Sequence, residues 1–269
     1  MNKRLLIGLG VVLAVVILFI ILLSVNKIGS SAGVSGRGGR ALLDRAKNFE
    51  ANAELLNAKN AYQKLITDFP NSTEVMDWQR KIEELNIKLF FSPVVTEGSV
   101  IYEIKPGDSF HKIAREFNTT PELIKRSNHF TSDLISPGSK IKVWVAPFSI
   151  LVDKSQNTLI LKTNEEIIKT YVVSTGKDNS SPVGTFKIVN KMLNPTWFKS
   201  GAVVPAGSPE NILGTRWLGL DVVGYGIHGT TDPQSLGKQV TLGCVRMLNA
   251  EVEELYDIVP VGTEVTIVD

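Results

Sequence analysis

The sequence predicts a multidomain chain: a single N-terminal transmembrane helix, a short α-helical segment, a small βααβ module, and a mostly-β C-terminal domain with one short helix. Three observations carry this. Leu5 to Val25 is a run of 21 residues without a charge. The apolar spacing is helical across residues 40–91 and becomes a two-residue alternation after Phe148. The 269 residues, 43% hydrophobic and 21% charged, suit two or three modest globular domains rather than a disordered chain.

At about 1.5 Å per residue the N-terminal run spans about 31 Å as a helix, enough to cross a hydrocarbon core. A cleaved signal peptide is the competing reading, with Ser30-Ser31-Ala32 as a weak cleavage-like site. The apolar core of such a peptide is normally about 7–15 residues, so this run is too long. The expectation is an uncleaved anchor, with residues 1–28 as cytoplasmic tip and span. No cysteine follows the run to accept a lipid. Lys3 and Arg4 before it and Lys27, Arg37 and Arg40 after it leave the positive-inside count nearly even. Outward placement of the remainder therefore rests on the chemistry of the C-terminal domain.

The overall charge of +2 is spread thinly: residues 1–30 carry +3, 31–92 carry +1, 93–145 carry +1 and 146–269 carry −3. None of these is the dense basic stripe that nucleic-acid binding requires, so no nucleic-acid partner is expected. One cysteine permits neither an internal disulfide nor a multi-cysteine metal site.

A Gly/Ser tether (29–39) leads into a helical segment (40–91). Leu42, Ala46, Phe49, Ala53 and Leu56 form an apolar stripe, which Ala58, Ala61, Tyr62, Leu65 and Phe69 continue with a phase shift. Pro70-Asn71-Ser72 breaks it and Ser72 can cap the next helix, on which Val75, Trp78, Ile82, Leu85 and Leu89 face inward. NAKNAYQKLITDFPNS resembles a tetratricopeptide-type repeat, which implies either a spacer or a docking surface for a protein partner. One such repeat cannot bury a core alone.

After the linker at 92–99, residues 99–146 read as strand (100–104), a Lys105-Pro106-Gly107-Asp108 turn, a helix capped by Ser109, a second helix opening at Pro121, a Pro137-Gly138 turn and a closing strand (140–145). Tyr102, Pro106-Gly107-Asp108, Ile113-Ala114, Phe117, Leu123, Asn128, Leu134, Pro137-Gly138 and Ile141 make this segment resemble the LysM module. The resemblance implies binding to glycan strands containing N-acetylglucosamine, chiefly peptidoglycan. His111 and His129 read as ordinary surface or loop residues.

Residues 148–269 read as three short strands, a fourth over 185–191, and a loop of about twenty residues between Leu193 and Leu213. RWLGLDVVGYGIHG and TLGCVRM read as two further strands, then come a helix over 250–258 capped by Asn249 and a last strand in VGTEVTIV. A loop that long is usually functional or disordered. The only cysteine, Cys244, lies sixteen residues after His228, the only imidazole of this domain. A thiol near its ordinary pKa is only a few per cent thiolate at neutral pH, and a neighbouring base raises its reactivity. Gly226, Gly229 and Gly243 allow backbones to approach and can aim N–H groups at one point. On spacing alone, a buried structural cysteine beside an unrelated histidine remains an equal alternative.

GYGIHGT followed by TLGCVRM resembles the signature of the L,D-transpeptidase (YkuD-type) catalytic domain. VSTGKDNSSPVGTFKI, NPTW (194–197) and VPAGSPENILGTRWLGL match further segments of that family in order. The resemblance implies Cys244 as nucleophile, His228 as base, the Gly229 carbonyl as the group that fixes its tautomer, and Thr241 beside the pair. It implies Gly243 at the oxyanion, Arg246 holding a loop or a substrate carboxylate, and Trp197 and Tyr225 near substrate. Tyr225 also reads as strand packing. No metal or cofactor is implied. The reaction implied is cross-linking of peptidoglycan stem peptides outside the cell membrane. L,D-carboxypeptidase activity, attachment of another amine, and a non-catalytic wall-binding scaffold are the alternatives. Leu242 stands where many members have His or Lys, and the substrate loop lacks the usual prolines after its Trp.

Overall fold

A computed structural model describes residues 37–164, 166–199 and 201–269 of the chain. The expected membrane span and most of the Gly/Ser tether lie outside them. Among the described residues no helix is long and apolar enough to cross a membrane.

Three helices come first: α1 (Arg37–Ala51), α2 (Leu55–Asp68) and α3 (Val75–Phe90). The phase shift in the apolar stripe is a real chain reversal. Ala53 adopts φ 56°, so the stripe predicted to run through it stops there. Helix α1 opens at Arg37, inside the segment expected to be tether. Ser72 accepts a hydrogen bond from the Glu74 N–H and so shapes the turn before α3, whose N-cap position is Glu74. Ala46, Ala58, Tyr62, Leu65, Trp78, Ile82 and Leu85 close a core between the three helices.

The βααβ module keeps the expected order: β1 (Ser99–Glu103), α4 (Phe110–Glu116), α5 (Pro121–Ser127) and β2 (Lys140–Trp144). Ser109 caps α4 by accepting from the Lys112 N–H, and Thr120 caps α5, with Pro121 at its first turn. Asp108 accepts from the Tyr102 hydroxyl and the Lys105 N–H, both at 2.8 Å, and closes the Pro-Gly-Asp turn. His111 and His129 are exposed.

The C-terminal domain is built on β3 (Phe148–Asp153), β4 (Thr158–Thr163), β5 (Glu166–Val172), β7 (Gly184–Leu193), β10 (Arg216–Leu220), β11 (Gly226–His228), β13 (Val245–Arg246) and β14 (Glu264–Val268). These form one sheet in the order β13-β11-β10-β7-β14-β3-β4-β5. The short strands β6 (Thr175–Gly176) and β12 (Gln239–Thr241) pair with each other, as do β8 (Trp197–Lys199) and β9 (Ala202–Val204). Helix α6 (Asn249–Ile258) buries Val252, Leu255 and Ile258 against the sheet. Strand β14 lies in the sheet interior, parallel to β3 and antiparallel to β7.

The units share a core. Ile87 and Phe90 of α3, Leu123 of α5 and Trp144 of β2 belong to the same apolar cluster as Phe148, Ile150 and Ile168 of the sheet. Phe90 meets the Trp144 ring edge-on at 4.6 Å, and Trp144 stacks on Phe148 at 5.6 Å. Polar contacts close the seam. Buried Lys142 donates to the Leu89 and Ser92 carbonyls at 2.7 and 3.0 Å, placing its cation at the carbonyl end of α3. Burial pulls its pKa down to about 8. Ser127 donates to the Phe90 carbonyl at 2.7 Å, Asn86 to the Ile168 carbonyl at 3.0 Å, and Arg126 pairs with Asp257 of α6 at 2.6 Å. The units on either side of the connection at 92–99 are therefore packed on one another, a point that local patterning does not reveal, while Pro93, Val94 and Val95 within it are exposed.

One prediction arises here. Phe90→Ala removes the ring on which all three units converge, and should cost about 3–5 kcal/mol. Denaturant unfolding monitored by both far-UV and near-UV signals should show one transition, shifted as a whole. Two transitions, only one of them shifted, would mean that the units unfold independently.

Candidate active site

Strand β11 lies between β10 and β13. Trp217 pairs with His228, and His228 with Arg246, so the three residues form one row across the sheet. Ile227 and Val245, also paired, are buried in the core behind it. Cys244 precedes β13 by one residue, and the Arg246 charge acts on both its thiol and the His228 ring. The segment expected as one strand, TLGCVRM, is thus broken. Strand β12 ends at Thr241, β13 begins at Val245, and Cys244 occupies the corner between them. RWLGLDVVGYGIHG is likewise two strands, β10 and β11, joined at Asp221–Tyr225.

The imidazole is fixed by its neighbour. His228 Nδ1 lies 2.7 Å from the Gly229 carbonyl oxygen. A carbonyl only accepts, so Nδ1 carries the proton and Nε2 keeps its lone pair. The ring is buried, and burial pulls its pKa down to about 4. The Gly229 carbonyl opposes that shift and Arg246 adds to it. Cys244 is half-buried, and its thiol donates to the Gly224 carbonyl at 3.5 Å. Burial pushes the thiol pKa up, while the Gly226 backbone and the Arg246 charge work the other way. At neutral pH the resting pair is thus a thiol and a neutral imidazole, with the ring lone pair available to take the sulfur's proton.

The corner that carries Cys244 is held from several sides. Thr241 Oγ1 donates to the Cys244 carbonyl at 2.6 Å and accepts from the Gly243 N–H at 3.2 Å. Thr241 therefore shapes the turn. The Gly243 N–H, expected at the oxyanion, is engaged by that hydroxyl. Gly243 sits at φ +119°, and a Cβ there would lie 2.5 Å from the Tyr225 ring, so only glycine fits. Tyr225 thus covers the turn from outside. Ser181, unremarkable in the sequence, donates to the Gly243 carbonyl at 2.8 Å and accepts from the Gly176 N–H at 2.8 Å.

Asn249 plays a different part from the helix cap that its sequence position suggests. Helix α6 begins at Asn249 itself, and Leu248 holds the cap position. The Asn249 side chain turns to the His-Gly corner instead. Its Oδ1 accepts from the Thr230 and Thr215 N–H groups at 3.0 and 3.3 Å, and its Nδ2 donates to the Thr230 carbonyl at 2.9 Å. A Cβ at Gly229 would lie 2.1 Å from that Oδ1, which accounts for the glycine after His228. An asparagine just before a helical stretch has the same sequence pattern in either role.

Arg246 does hold a loop: its Nη1 donates to Ser235 Oγ at 3.0 Å. Its Nε is buried and without a hydrogen-bond partner among the described residues. It lines a cleft of about 410 Å³ with Asp232, Gln234, Ser235, Lys238 and Val240. The long loop after Leu193 contains the paired strands β8 and β9, in which half-buried Trp197 pairs with Val204. Asn211 staples its base by donating to the Pro195 carbonyl at 2.8 Å. Exposed Phe198 and Val203 form a cross-strand pair on it. Leu242 beside the cysteine corner is 87% exposed, so the departure from His or Lys there changes the rim and not the catalytic face. No group of side chains suited to hold a metal ion occurs among the described residues.

A neutral imidazole and a thiol, both within reach of the Arg246 charge, are the groups that cysteine acyl transfer uses. The family model of the L,D-transpeptidase catalytic domain (YkuD) matches residues 147–267, and that of the LysM domain matches 102–144. The chain is 36% identical over 173 residues to a Bacillus subtilis (strain 168) protein named as the L,D-transpeptidase YkuD, covering 62% of this chain and 97% of that one. It is 42% identical over 126 residues to a second protein of that strain, named as the L,D-transpeptidase YqjB, covering 45% of this chain and 70% of that one. The crystal structure of an L,D-transpeptidase from Mycobacterium tuberculosis H37Rv aligns with a TM-score of 0.41 at 17% identity, over 50% of this chain and 64% of that one. The chain belongs to the YkuD family of L,D-transpeptidases.

Proposed function

We propose that the protein is a membrane-anchored peptidoglycan L,D-transpeptidase acting outside the cell membrane. The observation that carries this reading is the neutral His228, whose Nδ1 is held by the Gly229 carbonyl so that Nε2 keeps its lone pair, with Cys244 under the same Arg246 charge. In the reaction, His228 Nε2 takes the Sγ proton as the sulfur attacks the carbonyl after the third residue of a tetrapeptide stem. The tetrahedral intermediate collapses when His228 returns that proton to the leaving amine of the terminal D-alanine, leaving a thioester on Cys244. The side-chain amine of diaminopimelate in a second stem then attacks the thioester, with His228 again as base. A 3→3 cross-link forms and the thiol is restored. Arg246, which lines a polar cleft, suits a stem carboxylate.

The LysM module would hold the enzyme on glycan strands and raise the local concentration of stem peptides. The run Leu5–Val25 would anchor the chain. The helices α1 to α3, tetratricopeptide-like in the sequence, would space the enzyme from the membrane or receive a protein partner.

The test is muropeptide analysis after incubating the purified full-length chain with tetrapeptide-rich peptidoglycan. Dimers linked 3→3 with release of D-alanine are expected. Tripeptides without dimers would mean that water resolves the thioester and the protein is an L,D-carboxypeptidase. Unchanged muropeptides would reduce it to a wall-binding scaffold.

The site also predicts a pH profile. Acylation should be lost as pH falls through about 4, where His228 gains a proton and ceases to be a base. The rate should then stay level through neutrality, because the thiol's raised pKa puts its own ionisation at alkaline pH. Adduct formation with a carbapenem, a donor-like acylating agent, read by mass spectrometry across pH, measures this. A rise centred near the ordinary imidazole pKa of about 6.5 would show that the ring is hydrated in solution.

A further inference from the structure

Next to His228 stands a side chain to which the proposed reaction assigns no task. Trp217 faces it from β10 in register, with ring centroids 5.9 Å apart and planes 19° from parallel. The indole is itself held in place. Its Nε1–H donates to Asn190 Oδ1 on β7 at 3.1 Å. Below it the sheet carries two glycines. A Cβ at Gly226 would lie 2.6 Å from the Trp217 ring, and one at Gly219 would lie 2.7 Å from Nε1 and 2.5 Å from Asn190 Oδ1. Gly219 and Gly226 are paired across β10 and β11, and Asn190 pairs with Gly219 from β7. Three strands thus leave one seat, and the indole fills it.

The seat has a consequence for the imidazole. The Nδ1 bond to Gly229 fixes one ring edge but leaves the ring free to swing about that edge. A parallel indole removes the swing and covers one face against water. It also offers its π-face to the cation that forms when Nε2 takes the thiol's proton.

We propose that Trp217, seated on Gly219 and Gly226 and anchored by Asn190, is the positioning residue that sets the plane of the His228 ring and keeps that face dry. The proposal rests on His228 being the base in the proposed reaction. The charged groups around the ring are accounted for. Arg246 acts from β13 on the same face, and Cys244 is the other titratable group there. Arg216 precedes Trp217 on β10, so alternation turns it to the opposite face, where it lies 3.7 Å from Glu253 of α6.

The test compares the full-length wild type with Trp217→Ala, Trp217→Phe and Asn190→Ala, using two readouts. The first is the His228 titration by NMR, in a chain with three histidines. The second is the rate and concentration dependence of carbapenem adduct formation on Cys244. In Trp217→Ala the His228 titration should move up from about 4 toward its ordinary range, as water reaches the ring. The limiting acylation rate should fall by about 10- to 100-fold, with half-saturation within about threefold, since a positioning residue need not touch the ligand. Trp217→Phe keeps a parallel ring and should recover most of both. Asn190→Ala frees the indole and should lie between. A Trp217→Ala protein whose His228 titration and limiting rate per folded molecule match the wild type overturns the proposal. If that variant does not fold, Asn190→Ala decides: an upward titration shift with a slower limiting rate supports it, and wild-type values overturn it. The titration reads the seat even if His228 were not the base. Failure of the catalytic reading would instead appear as wild-type protein that forms no adduct.

Discussion

Cys244→Ala should abolish both covalent adduct formation and 3→3 cross-linking while leaving the fold in place. The side chain is half-buried, and its hydrogen bond to the Gly224 carbonyl is long at 3.5 Å. The backbone of its corner is fixed by Thr241, Ser181 and Gly243, not by the sulfur. Losing the sulfur therefore removes the nucleophile and little stability. The variant should keep its unfolding free energy within about 1 kcal/mol of the parent, since surface-like substitutions away from packing features cost little. It should still bind peptidoglycan sacculi through the LysM module. Intact-mass measurement after carbapenem treatment is the decisive reading. Adduct on the alanine variant would place the nucleophile elsewhere.

His228→Gln should slow acylation by about 10²-fold or more, because the thiol loses its base and the leaving amine its acid. The raised thiol pKa sharpens the expectation, since little thiolate is present at pH 7 to react unaided. Raising the pH should restore part of the variant's rate, as solvent hydroxide takes over the ionisation that the imidazole performs in the wild type. The rate would then climb steadily with pH, where the parent is flat. A variant within a few-fold of wild type at pH 7 would show that another group serves as base. Glutamine can mimic the neutral ring's hydrogen bonding, so a loss of rate would report the proton transfer and not a collapsed corner.

The parts of this fold visible in the sequence are those fixed locally. Ser109, Pro121 and the Pro-Gly-Asp turn announce the βααβ module because caps and turns act over three or four residues. His228 and Cys244 stand out in the sequence through scarcity and a family signature. The features that escape are set by distant chain. Asn249 reads as a cap until β10 and the His-Gly corner are folded against it. Ser181 is one serine in a polar loop until the Gly243 carbonyl lies 2.8 Å away. Trp217 looks like any strand aromatic, and its seat exists only once three strands have paired. Phe90 and Trp144 carry no mark in the sequence of the third unit they serve, yet each packs against Phe148.

Strand β14 sits between β3 and β7, so residues 264–268 bridge two halves of the sheet that precede them in the chain by up to 115 positions. Until that segment is available, β3-β4-β5 and the β7-β10-β11-β13 side share no strand and meet at the Ser174–Arg246 bridge and the short β6–β12 pair. The catalytic face lies wholly on the second half. Synthesis of His228 and Cys244 thus comes before the sheet that supports them can close. Such late, long-range closure makes folding slow. For a chain that the proposed anchor would thread across a membrane, slow closure would leave the C-terminal domain translocatable until its closing strand has also crossed.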